Sequence, residues 1–261
     1  MPSLIDISAP LQADILSDPP GLQPQITYLD HRATAPAIAA FFGVGEDQLP
    51  ERQYAAVENC AISTHNGTHV DAPYHYFSRM NEAVVPGGEP SMRIDEVPLD
   101  WLYQPGVKLD FRHLPDGHLV NPAEIEAELD RVGHQLKPFE IVLANTRAGS
   151  RYGEADYVDS GCGFGRAATL WLVERGIRVV GTDAWSWDPP FSHTRRRVQE
   201  TGDAGLIWEG HRVGRDRAYC QIEKLHNLEV LPPDGFVVAA FPVKVHRASA
   251  GWTRAVAILP D

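Results

Sequence analysis

Hydrophobic and polar positions fall into runs of strand length at several places along the chain, and into helical spacing at a few. Leu4 to Ile7 is a short apolar run closed off by Pro10, which predicts an opening strand. Val107-Lys108-Leu109-Asp110-Phe111 alternates in the strand manner. Phe139 to Thr146 and Ile177 to Asp183 are mostly apolar runs of the length of buried strands, and Phe236 to Phe241, Val243 to Val245 and Arg254 to Leu259 read as closing strands. Helical spacing appears at residues 33–43, an Ala-rich stretch suited to a surface helix over the core. Asn121-Pro122-Ala123-Glu124 supplies an N-cap, a proline at the first helical position and a Glu that completes a capping box, so a helix runs from there to about Arg131. A third helix, Arg166 to Arg175, leads at once into the strand at 177–183, an order that suits an αβ layer. The pattern predicts a mixed α/β fold in one domain spanning residues 1–261.

Other segments lack a period. Residues 14–31, punctuated by Pro19, Pro20 and Pro24, are either a loop packed on the body or an arm reaching a neighbouring subunit. Residues 147–165 are a long glycine-rich connection and a candidate wall of a binding site. Gly161-Cys162-Gly163-Phe164-Gly165 before a helix invites a dinucleotide reading, but the run follows a loop and lacks the full glycine spacing, so a glycine turn fits better.

The formal charge of −12 argues against a nucleic-acid or anionic-membrane partner, since either calls for a surplus of Lys and Arg. No run of eighteen apolar residues occurs, and the first six residues lack the basic and apolar regions of a signal peptide; a cytoplasmic location is expected. Cys60, Cys162 and Cys220 are far apart and form no Cys-x-x-Cys pair, so they are expected to be reduced and mostly buried.

One stretch has no structural period and strong chemistry. His65-Asn66-Gly67-Thr68-His69-Val70-Asp71-Ala72-Pro73-Tyr74-His75 places three imidazoles and one carboxylate within eleven positions, the side-chain types that bind Zn²⁺, Mn²⁺ or Fe²⁺. A zinc-protease helix does not fit. Asn66 stands where that motif needs a Glu base, Gly67 costs about 1 kcal/mol in a helix interior, and Pro73 follows closely. The backbone is expected to leave a strand at 61–64, turn at Gly67 and start a short helix at Pro73, so that the ligands converge from a turn and His75 is the nearest group for proton transfer.

His-x-Gly-Thr-His-x-Asp-x-Pro-x-His resembles the signature of the cyclase-like metal-dependent hydrolases, which include bacterial kynurenine formamidase and isatin hydrolase, with every fixed position present from His65 to His75. The resemblance implies a swivelling β/β/α domain, a mixed sheet with flanking helices, with metal at His65, His69 and Asp71 and His75 catalytic. It also implies, at looser motifs, a second set of ligands at His211 and Glu223, twelve positions apart, hence one or two Zn²⁺ or Mn²⁺ ions per chain. Homodimers with N-terminal segments near the partner's site are common in such a family. Trp185 and Trp187, beyond the strand at 177–183, offer stacking surface for a planar substrate, with core packing as the alternative. Arg195-Arg196-Arg197 reads as a solvated face rather than a carboxylate clamp. The expected activity is metal-dependent hydrolysis of the amide bond of a small molecule, an aryl formamide or cyclic amide. A lactonase on the same fold, a metal-dependent lyase or cyclase, and a non-enzymatic ligand-binding module are the alternatives.

Overall fold

The computed structural model describes residues 2–260. Nine strands make the main sheet: β1 (Ser3–Asp6), β2 (His69–Asp71), β3 (Tyr103–Asp110), β4 (Ile141–Asn145), β5 (Val179–Thr182), β6 (Cys220–Glu223), β7 (Phe236–Ala239), β8 (Ala250–Trp252) and β9 (Val256–Leu259). Their order is β1-β9-β7-β3-β4-β5-β6-β2-β8. The central four, β3 to β6, run parallel, and every pairing outside them is antiparallel. Six helices accompany them: α1 (Ala35–Phe42), α2 (Pro73–Tyr76), α3 (Pro122–Val132), α4 (Arg166–Glu174), α5 (Phe191–Thr201) and α6 (Val213–Asp216).

Parallel strands must be covered on both faces, which is why residues 141–144 and 179–181 are apolar without interruption. Alternate residues of β4 and β5 go to opposite sides of the sheet. Ile141, Leu143 and Val179 join Ile222, Phe236 and Val238 in one core. Val142 and Val180 join Val107 and Leu109 in a second, covered by Ile125 and Leu129 of α3 and Leu172 of α4. The capping box at α3 forms as expected: Asn121 Oδ1 accepts from the Glu124 amide at 3.1 Å, and Glu124 Oε2 accepts from the Asn121 amide at 2.8 Å. Gly163 sits so close to Pro189 that an added Cβ would meet its nitrogen at 2.1 Å, so the glycine-rich turn before α4 exists to bring two backbones together.

Several expectations need correction. Residues 243–245 form no strand; Val243 donates to the Trp252 carbonyl instead, and β8 takes the edge. Helix α1 does not cover the core. Its buried residues, Ala35 and Ala39, belong to neither core cluster, while Phe41 is 79% and Phe42 67% exposed. Within the segment left open as loop or arm, Gln25–Leu29 pairs antiparallel with Val57–Ala61 in a ribbon outside the main sheet. Because the whole of Val57–Ala61 is exposed there, Cys60 is exposed rather than buried; Cys162 and Cys220 are buried. Arg197 of the basic run pairs with Glu209 at 3.0 Å, in keeping with its acidic surroundings. Among the described residues no helix is long and apolar enough to cross a membrane.

Candidate metal centre

The ligand-type residues arrive from three kinds of element. His65 comes from a turn in which Ser63 N donates to Asn66 Oδ1 at 2.7 Å and Asn66 N donates to the Ser63 carbonyl. Gly67 closes that turn with a φ of +61°, in the left-handed region that glycine enters without penalty. His69 and Asp71 then lie two apart on β2, so both side chains leave the same face of the strand. This corrects the expectation of ligands gathered by a turn alone: only His65 is on the turn. Antiparallel pairing of β6 with β2 places Glu223 opposite His69. His75 follows from α2, which begins at Pro73 as the sequence predicts.

The result is a tight cluster around Asp71. His65 Nδ1 is 2.9 Å and His69 Nε2 3.3 Å from Asp71 Oδ1, and His75 Nε2 is 4.0 Å from Oδ2. Glu223 Oε2 is 3.6 Å from His69 Nε2, and its Oε1, 3.7 Å from His211 Nε2, accepts from the Trp187 amide. Two groups of three have ligand atoms close enough to share an ion, His65 with Asp71 and His75, and His69 with Asp71 and Glu223. Asp71 belongs to both. His211 stands at the edge, its Nδ1 held by Asp188 Oδ2 at 2.6 Å.

The electrostatics match a cation site. Asp71 Oδ1 and Oδ2 and His69 Nε2 are buried, and none makes a hydrogen bond. Such groups are costly to bury bare and suit a metal ion. His69 Nδ1 is 2.9 Å from the Gly67 carbonyl; a proton there leaves the Nε2 lone pair facing Asp71 and Glu223. Burial pushes the Asp71 carboxyl up, but the surrounding His75, His69 and His65 outweigh it and hold it well below the usual carboxylate range. Burial and the neighbouring Asp71 charge push Glu223 up. Burial dominates at His75 and, only partly offset by Asp71, lowers it to about 4. At His65 burial is outweighed by the adjacent Asp71 carboxylate, and at His211 by the hydrogen bond and charge of Asp188, so both are raised.

A cavity of about 200 Å³ opens onto this cluster between His65, His75, His211, Trp185 and Trp208. Trp208 escaped the sequence reading. It stacks on His211 with ring centres 4.6 Å apart and faces His75 at 5.2 Å, yet it lies in an irregular segment with a positive φ, which no periodic signal marks. The connection at 147–165 contributes no lining residue; its Arg147, Ser150 and Arg151 face a separate cleft of about 500 Å³.

The chain also matches known proteins. The model of a family described as "Putative cyclase" matches residues 5–189. The chain belongs to the cyclase family. The kynurenine formamidase of Salinibacter ruber (strain DSM 13855 / M31) is 27% identical over 232 residues, covering 86% of this chain and 93% of that protein. The isatin hydrolase A structure from Ralstonia solanacearum superposes with a TM-score of 0.75 at 19% identity, covering 99% of this chain and 92% of that one. A structure titled as a potential metal-dependent hydrolase with cyclase activity gives a TM-score of 0.65 at 19% identity, with both chains fully covered. The fold is therefore that of the isatin hydrolases and related cyclase-family structures.

The two tryptophans expected to bind substrate part company. Trp185 lines the cavity, whereas Trp187 is fully buried, stacked on Phe164 at 4.0 Å and donating from Nε1 to Thr169 Oγ1. Trp187 is core, with no face left for a ligand. Trp187→Ala should accordingly lower stability by about 3–5 kcal/mol, the cost of emptying a large buried aromatic site. Urea unfolding checks this; a loss under 1 kcal/mol would contradict the placement.

Proposed function

We propose that the cluster holds a divalent metal and that the chain is a metal-dependent hydrolase of an amide C–N bond, in an aryl formamide or a cyclic amide. The observation that carries this is Asp71, fully buried with neither carboxylate oxygen hydrogen-bonded and three imidazoles facing it. The named activities of the kynurenine formamidase relative and the isatin hydrolase neighbour support the bond type, and the aromatic cavity walls support a planar substrate. His65 and Asp71 would hold one Zn²⁺ or Mn²⁺ ion, and His69, Asp71 and Glu223, with His211 beside them, would hold a second. A metal so held supplies polarisation of the scissile carbonyl and acidification of water.

The chain's own groups do the rest. Asp71 and Glu223, buried side by side, favour a cation over a neutral ligand. His75, with its pKa lowered to about 4, is unprotonated at neutral pH, so its Nε2 is free to take a proton from water and deliver it to the leaving nitrogen. Trp185 and Trp208 bound the space above these groups and narrow the approach of bulk water.

A second assignment of roles has its own support. His75 Nε2 lies in ligand reach of Asp71, while His211 is oriented by Asp188 in the manner of an acid–base pair. In that arrangement His75 is a ligand and His211 carries the proton.

A second copy of the chain is the proposed partner. Tyr28, Phe41, Phe42, Tyr54 and Val57, on or near the ribbon and α1, are all exposed, a concentration of apolar surface that soluble monomers seldom leave bare. Light scattering should give about twice the 28.8 kDa chain mass, and Phe41→Asp with Phe42→Asp should halve it. A monomeric wild type would overturn this.

Metal analysis with variants tests the assignment. Asp71→Ala and His65→Ala should lose bound metal and activity together. His75→Ala should keep its metal and lose roughly 10²–10⁴-fold in turnover, the range for a general acid–base group. Loss of metal in His75→Ala would instead favour the His211 assignment. Glu223→Gln should lower the metal-to-protein ratio from about two to about one, as expected when one of two bridged ions goes. A wild-type ratio near one that Glu223→Gln leaves unchanged would remove the second ion while sparing the hydrolase reading.

A further inference from the structure

Asp18 and Lys224 are 6% and 1% exposed and form an ion pair at the edge of the cavity, which both line. Neither is in the ligand cluster. The Asp18 carboxylate also accepts from Trp185 Nε1 at 2.9 Å and from Asn66 Nδ2 at 3.0 Å. Lys224 Nζ donates as well to the His65 carbonyl at 2.8 Å and lies 5.4 Å from the centre of the Trp185 ring. Asn66 Nδ2 further donates to the Leu22 carbonyl at 2.7 Å. One buried carboxylate thus ties together four separate parts of the cavity wall: the segment around residues 18–22, the turn carrying His65, the indole of Trp185 and the residue after Glu223.

Stability alone does not account for this arrangement. Two buried charges are expensive to desolvate, and apolar residues of similar size commonly stabilise as well or better. What the ion pair adds is direction, because each donor around Asp18 is fixed by a hydrogen bond of defined geometry. His69, Asp71 and Glu223 are held independently, by the pairing of β2 and β6. Removing the Asp18 charge therefore frees the Trp185 wall and residues 14–24, while the strand-borne ligands stay in place and the His65 turn keeps its own Ser63–Asn66 hydrogen bonds.

We infer that Asp18, paired with Lys224, is a positioning residue that sets the plane of Trp185 and closes residues 14–24 over the cavity, and so determines how tightly a planar substrate is held. Its effect on turnover rests on the hydrolase reading above; its effect on the wall does not.

The test compares wild type with Asp18→Asn, both loaded with metal, by steady-state kinetics on an aryl formamide and by amide hydrogen exchange without substrate. KM should rise roughly tenfold or more with kcat changed less than about threefold, the pattern of lost uniform binding. Metal content should stay at the wild-type value. Amides of residues 14–24 should exchange at least about tenfold faster, reporting local opening, while those of the ligand-bearing turn at 63–67 change much less. If the single variant does not fold, Asp18→Asn with Lys224→Met, which removes both charges together, carries the same comparison. Unchanged KM and exchange would overturn the inference. A fall in kcat of about a hundredfold with KM unchanged would also overturn it, by placing the pair in the chemistry. A wild type that hydrolyses no aryl amide would count against the hydrolase reading alone, and the exchange comparison would still decide the role of Asp18.

Discussion

The Asp71 carboxylate is the constraint on which the site depends. It is completely buried, and neither oxygen receives a hydrogen bond. Leaving such a group bare costs several kcal/mol, so its surroundings must supply positive charge or the fold forfeits that stability. Three imidazoles on a turn, a strand and a short helix all face it. The imidazoles supply part of that charge, since they hold the Asp71 carboxyl low, but His75, lowered by burial to about 4, is itself neutral at neutral pH. A divalent cation held by Asp71 and its neighbours would remove that deficit.

The sheet delivers this arrangement at the place where its direction changes. β3 to β6 are parallel, and β2 runs antiparallel to β6. The last residue of β6, Glu223, therefore meets the first residue of β2, His69, and the alternation of side chains brings Asp71 to the same face. The carboxyl end of β5 is near, leading to Trp185 and to Asp188, which orients His211. Ligands, aromatic wall and orienting carboxylate thus gather at one edge, as is usual for ligand sites in α/β sheets. The cores on the two faces keep that edge fixed.

Much of this was legible in the sequence, for local reasons. Residues 65–75 were readable because four ligand-type side chains fall within eleven positions, and the cap residues announced α3. β2 was not readable: a three-residue strand carries too little alternation to stand out, and its identity depends on pairing with β6 and β8. His211 and Glu223 came into view by resemblance alone, since their proximity to Asp71 depends on strand register. Trp185 and Trp187 looked equivalent because no regular element around them fixed which side each would face. Asp18 lies in a proline-rich segment with no pattern, and its partners are made by tertiary folding across 206 positions in the case of Lys224. The pairing of the ribbon went unseen, and the strand expected at 61–64 lies instead at Val57–Ala61, because strands exposed outside the main sheet have no buried face to impose alternation.

The central claim is that a metal ion compensates the buried Asp71 carboxylate. Anomalous diffraction from crystals of the protein grown with Zn²⁺ or Mn²⁺, collected on either side of the metal's absorption edge, tests it most directly. The account predicts a strong anomalous peak within about 2.0–2.3 Å of an Asp71 oxygen and of His69 Nε2, the distances of direct coordination. No anomalous density at Asp71 under metal-saturating conditions, or density only at surface carboxylates, would contradict it.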